Sequence, residues 1–122
     1  MESRRENLAR VIKPDPGSTL FVYGSLLDAA HREEILGRRV STVAATIRDY
    51  ERGRKRYFYL RKRPGIDTPG LLLLELSARD FTLVDDYENV PILYVREQIE
   101  VFDEAGIPLR CWIYLPTARV LT

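Results

Sequence analysis

Leu20-Phe21-Val22-Tyr23-Gly24-Ser25-Leu26-Leu27 is the stretch on which the reading of this 122-residue chain turns. Residues 20–23 are strand formers, the run stops at a Gly-Ser pair, and polar, helix-prone sequence follows, which spells a buried strand feeding a tight turn. A residue without a Cβ lets the chain curl and lets a ligand approach the main chain, and such turns leave backbone N–H groups facing open space. A cluster of that kind suits an anion. An ordinary strand-to-helix turn has the same spelling, so the rest of the chain must decide.

Working outward, Asp28 is placed to cap a helix over Ala29 to Leu36 that Gly37 closes. Ser41 to Tyr50 is rich in β-branched residues and predicts a strand, followed by a basic segment and a second short strand over Tyr57 to Leu60. Pro64-Gly65 and Pro69-Gly70 bracket an expected loop, and Leu71 to Leu76 is apolar enough for a central strand buried on both faces. Ser77 with Asp80 three residues on opens a helix from Ala78 to about Glu88, which Asn89 and Pro91 stop. Alternation returns over Leu93 to Phe102, with Leu93, Val95, Ile99 and Val101 on one face and Tyr94, Arg96, Gln98 and Glu100 on the other. Glu104-Ala105-Gly106 makes a turn, and Leu109 to Leu115 pairs back. The expected class is α+β: a small mixed β-barrel with two short helices, occupying residues 18–122. Residues 1–17, ending in Pro14-Asp15-Pro16-Gly17, read as an N-terminal arm or linker with a short helix near Glu6 to Ile12.

Composition bounds the function. With 45% apolar and 30% charged residues, the chain falls in the soluble globular class. No apolar run approaches the ~20 residues of a membrane span, and the charged first 13 residues lack a signal-peptide core, so the expected location is cytoplasmic. One cysteine excludes an internal disulfide and a cysteine-rich metal site. The net charge of +1 is unevenly spread: residues 48–63 hold eight basic and two acidic residues, against 11 and 16 elsewhere. That segment interleaves Tyr50, Tyr57, Phe58 and Tyr59 with arginines, which is a solvated strand edge, a site for an acidic partner, or a nucleic-acid surface.

The second informative stretch is Val84 to Arg96. Phe81, Val84, Asp85 and Glu88 fall at i, i+3, i+4 and i+7, so two carboxylates share the face that Phe81 and Val84 bury. Burial and the negative end of the helix dipole both raise the pKa of Glu88, which fits it to accept and return a proton near neutral pH. Pairing with an arginine such as Arg96 is the structural alternative. Asp85, one turn away, reads as structural, hydrogen-bonded to backbone. The two carboxylates are the minimum for a glycosidase, but on one helix they cannot flank a sugar bond from opposite sides. His31 reads as a surface residue, Cys111 as a small buried hydrophobe and Trp112 as a cover for the barrel.

Phe21-Val22-Tyr23-Gly24-Ser25-Leu26, taken with Val84-Asp85-Asp86-Tyr87-Glu88 and Pro91-Ile92-Leu93-Tyr94-Val95-Arg96, resembles the gamma-glutamylcyclotransferase-like family, and within it the gamma-glutamylamine cyclotransferase branch. The resemblance implies a mixed β-barrel in which the first loop and the acidic helix end share a cavity. It also implies conversion of a gamma-glutamyl amide to 5-oxoproline and a free amine, by attack of the substrate's own α-amine, with no cofactor and no metal. On that resemblance Glu88 matches the catalytic acid/base. Tyr23, Gly24, Ser25 and Leu26 match the loop that holds the substrate's α-carboxylate, and Tyr94 a strand tyrosine near the pocket. The chain departs from the pattern at Val84, where Leu is usual, at Asn89, where Gly is common, and over Arg54 to Arg63, which is unusually basic and would form the wall facing the leaving group.

Overall fold

The computed structural model describes residues 14–122, so the helix expected near Glu6 to Ile12 lies outside the described residues. Five strands, β1 (Leu20–Val22), β2 (Thr42–Arg54), β3 (Phe58–Leu73), β4 (Tyr94–Asp103) and β5 (Pro108–Pro116), close a barrel in the order β1-β3-β2-β4-β5. β1 closes it, because its three residues pair antiparallel with β3 (Leu20 opposite Leu73) and parallel with β5 (Leu20 opposite Trp112). All other pairings are antiparallel. This is the expected α+β mixed barrel.

Three α-helices accompany it among the described residues, one more than expected: α1 (Ala29–Leu36), α2 (Ala78–Tyr87) and a short C-terminal α3 (Ala118–Leu121). The Asp28 carboxylate accepts from the His31 N–H to cap α1, and Gly37 closes that helix at φ 72°. Ser77 and Asp80 form a full capping box on α2. Asn89 follows that helix at φ 55°, a conformation Asn tolerates better than most residues.

Because successive strand residues face opposite ways, β1 divides its side chains between two packed layers. Phe21 enters the barrel interior with Ile47, Leu72, Val101 and Ile113. Leu20 and Val22 face the helices with Leu36, Phe81 and Val84. Leu72 and Leu73 are both fully buried, one in each layer, as the four-leucine run predicts. Cys111 is buried in the barrel interior.

The largest departure from expectation lies between Arg48 and Gly70. The segment spanned by Pro64-Gly65 and Pro69-Gly70 is strand, not loop, and β3 runs unbroken for 16 residues. The prolines fit because β1 covers β3 only at Leu71 to Leu73. Beyond that contact the far edge of β3 is open, where a residue without an N–H costs no ladder bond. β2 likewise continues past Tyr50 to Arg54, through a register shift between Arg48 and Tyr50. Asp49 adopts φ 63° there and its carboxylate accepts from the Gly65 N–H at 2.8 Å. The bulge divides the strand pair into a barrel wall and an arm, residues 50–62, that extends from it.

Candidate active site

The turn after β1 is held open from below. Gly24 has φ −127° and ψ −128°, and a Cβ at this position would lie 2.9 Å from the Cβ of Phe58 at the tip of the arm. The chain then enters a single 3-10 turn over Ser25–Leu27. The Arg32 guanidinium, on α1, donates to the carbonyls of Leu26 (3.0 Å) and Leu27 (3.4 Å), and Arg52, on the arm, donates to the Tyr23 carbonyl at 3.1 Å. With its carbonyls anchored outward, the turn leaves the N–H groups of Gly24, Ser25 and Leu26 without an acceptor among the described residues.

These residues line a cavity of about 290 Å³ together with Glu88, Leu93, Tyr94, Tyr114 and the arm residues Arg54, Arg56, Tyr57 and Phe58. Tyr23 to Leu26, Glu88 and Tyr94, all singled out in the sequence, therefore meet in one cavity. Glu88 is the C-cap of α2, and its carboxylate has no hydrogen bond or ion pair among the described residues. Burial pushes its pKa up to about 7.

The structural alternative for Glu88 does not occur. Arg96 instead pairs with Asp85 at 3.7 Å, and its guanidinium lies over the rings of Phe81 and Trp112. Asp85 also accepts from the Tyr114 hydroxyl, so its partners are side chains and not the backbone groups expected. Trp112 packs edge-on against Phe81, in keeping with a covering role.

Three buried phenols surround Glu88, and each has its proton committed elsewhere. Tyr23 donates to the Tyr114 carbonyl, Tyr114 to Asp85, and Tyr94 to the Phe58 carbonyl. Desolvation is the main cause that drives all three above the ordinary phenol range, so they remain neutral donors. Cys111 is also pushed up, to about 12, by burial. Among the described residues no group of His, Cys, Asp or Glu is arranged to hold a metal ion. No helix among them is long and apolar enough to cross a membrane.

Sequence reasoning missed several residues of the cavity. Tyr87 lines it, and its hydroxyl lies 2.7 Å from both Ser25 Oγ and His31 Nε2, so His31 braces the rim from the surface. The helical periodicity that selected Glu88 places its neighbour off the buried face, and only adjacency to Glu88 signalled it. Phe58 meets Gly24, distant in the sequence, and Tyr114 enters through its strand pairing with Arg96; no local pattern encodes either contact.

Residues 20–121 match the family model described as gamma-glutamyl cyclotransferase, AIG2-like. The chain belongs to that family. Over 99 residues it is 27% identical to a protein of Methanocaldococcus jannaschii named gamma-glutamylcyclotransferase and putative RNase, a match covering 79% of this chain and 45% of the relative. The chain thus spans less than half the length of that relative. The barrel is shared with a solution structure from Arabidopsis thaliana, at a TM-score of 0.73 and 21% identity over 81% of this chain and 68% of that one. It is shared too with a structure named gamma-glutamyl cyclotransferase, at a TM-score of 0.73 and 18% identity over 82% and 66% of the two chains. The AIG2-like fold therefore frames the cavity.

Proposed function

We propose that this chain catalyses intramolecular cyclisation of a gamma-glutamyl amide, releasing 5-oxoproline and a free amine, with Glu88 as general acid/base. The observation that carries the reading is the pairing, in one cavity, of an unpartnered carboxylate raised to about 7 with three unpaired N–H groups at Gly24, Ser25 and Leu26. An α-amino acid head group offers the complement of both. Its carboxylate suits the N–H cluster, and its ammonium suits a carboxylate able to take a proton.

In this reading Glu88 accepts a proton from the α-ammonium, and the freed amine attacks the γ-carbonyl of the same molecule. The new C–N bond closes the five-membered ring, and Glu88 returns its proton to the departing nitrogen as the bond to it breaks. The second proton of the ring nitrogen passes through the ionised Glu88 to the freed amine, which leaves as an ammonium. The enzyme supplies no nucleophile, and holding amine and carbonyl together is itself a large part of the acceleration. Tyr94 supports the cavity by fixing Phe58 opposite Gly24.

The competing reading is a surface for nucleic acid or another acidic partner on residues 48–63, in line with the "putative RNase" in the name of the archaeal relative. It is less well supported, because arginines of the same arm lie over the rings of Tyr57, Phe58 and Tyr59, 4.7 to 5.9 Å from their centres, and compete with a base for those faces. Stacking of bases needs such faces free. The test is release of 5-oxoproline from a panel of glutathione, gamma-glutamyl amino acids and gamma-glutamyl-ε-lysine. Silence across the panel overturns the cyclotransferase reading. Nucleic-acid binding that weakens steeply with salt would put the other in its place.

A further inference from the structure

The arm ends in Arg54-Lys55-Arg56, and its three cations have different fates. The Lys55 ammonium is turned away to the Leu121 carbonyl at 2.8 Å. Further along, Arg61 and Arg63 both reach Glu51, at 3.4 Å each. Arg54 and Arg56 line the cavity and have no carboxylate partner among the described residues. Neither is free to swing at random: the Arg54 guanidinium lies 4.7 Å from the centre of the Phe58 ring and that of Arg56 lies 5.6 Å from the Tyr57 ring. Phe58 in turn is fixed by the Tyr94 hydroxyl on its carbonyl and by contact with Gly24. The opposite end of the cavity, at Gly24 to Leu26 and Glu88, is matched to an amino acid head group, so the arm tip is left to the part of the substrate that departs.

We infer that Arg54 and Arg56 select substrates whose leaving amine carries a carboxylate, that is, gamma-glutamyl amino acids or peptides over gamma-glutamyl derivatives of neutral or cationic amines. The inference rests on the cyclisation reading for the orientation of the substrate. Two exposed guanidinium groups at the cavity mouth form charge-assisted hydrogen bonds with a carboxylate, and an ammonium in the same place meets repulsion.

The test compares gamma-glutamylglycine with gamma-glutamylglycinamide, which differ only in that carboxylate. Calorimetric binding to the full-length Glu88→Gln protein is measured beside 5-oxoproline release by the unmodified one. A preference of about ten-fold for the carboxylate is expected, shrinking with salt because the arginines are exposed. The double variant Arg54→Gln, Arg56→Gln should bring the ratio close to one, and Arg54→Lys with Arg56→Lys should restore part of it. Equal binding of the two compounds overturns the inference, as does failure to bind either. So does a double variant that weakens both equally, since the arginines would then be gripping the head group. Selective binding without any 5-oxoproline release leaves the selection in place and overturns the cyclisation.

Discussion

Asp85 and Glu88 project from the same face of α2 one turn apart, yet Asp85 takes both neighbouring donors, Tyr114 and Arg96, and Glu88 takes none. This division separates a partnered carboxylate from an unpartnered one. Because the donors are already engaged, nothing among the described residues offsets the desolvation of Glu88.

The first prediction is thermodynamic and independent of any substrate. A carboxyl group raised from 4.5 to about 7 in the folded protein keeps its proton where the unfolded chain has lost it. Its folded form therefore loses stability as pH rises from about 4.5 to 7, by at most ~3 kcal/mol. Glu88→Gln removes this dependence, so the variant should gain stability over the parent across that interval. Denaturant titrations at pH 4.5 and 8 check it, and parallel curves for the two proteins would return Glu88 to an ordinary surface role.

Catalysis supplies the second. Glu88→Gln should retain the fold and lose 10²–10⁴-fold in 5-oxoproline release, the usual range for a general acid/base. In the unmodified protein kcat/KM should rise through an acid limb near 7, because Glu88 must be ionised to take the ammonium proton. A pH profile flat from 5.5 to 8 would count against the assignment.

Much of this was readable in advance, and the reasons are local. Gly37, the Ser77–Asp80 box and the alternation around β5 are signals written within a few residues, and each fixed an element. Glu88 was legible because helical periodicity fixes a face. The unbroken course of β3 was not: Pro64 and Pro69 are local turn signals, and what overrides them is the open edge of β3, a property of the three-residue β1 on the far side. The partner of Asp85 was hidden likewise, since Tyr114 is brought to it by barrel closure.

Gly24 gives a third prediction. Gly24→Ala places a Cβ 2.9 Å from Phe58 Cβ and 3.1 Å from its Cγ, so either the turn or the arm tip must move. A cost of about 1–3 kcal/mol in stability is expected, with a larger loss of substrate binding because the N–H cluster shifts. Thermal melts and calorimetry on the same preparation separate the two; wild-type affinity in a folded variant would remove the turn from the site.

Tyr94 and Phe58 give a fourth. Tyr94→Phe deletes the bond to the Phe58 carbonyl and should cost about 1 kcal/mol. The arm tip loosens, so KM should rise several-fold while kcat falls less. A change confined to kcat would instead place Tyr94 in the chemistry.

The fifth concerns the base of α2. Asp80 is almost fully buried; desolvation raises its pKa, but bonds from Arg38 and Ser77 outweigh this and hold it below the ordinary value of 3.8. A group lowered in this way contributes stability above pH 4 that disappears as pH falls through its folded value. Asp80→Asn should cost about 1–3 kcal/mol at pH 7 and much less near pH 2, measured by urea unfolding.

The contact between Asp49 and Gly65 acquires a wider meaning because the arm beyond it lines the cavity. On one side of that clasp the residues of β2 and β3 are staves whose spacing every other strand must match. On the other, Arg54, Arg56, Tyr57 and Phe58 line the cavity mouth, while Leu60 alone of the arm is buried in the barrel interior. The clasp is thus a seam: a change of charge beyond it alters the rim of the vessel, and reaches the staves only through the few arm side chains packed among them.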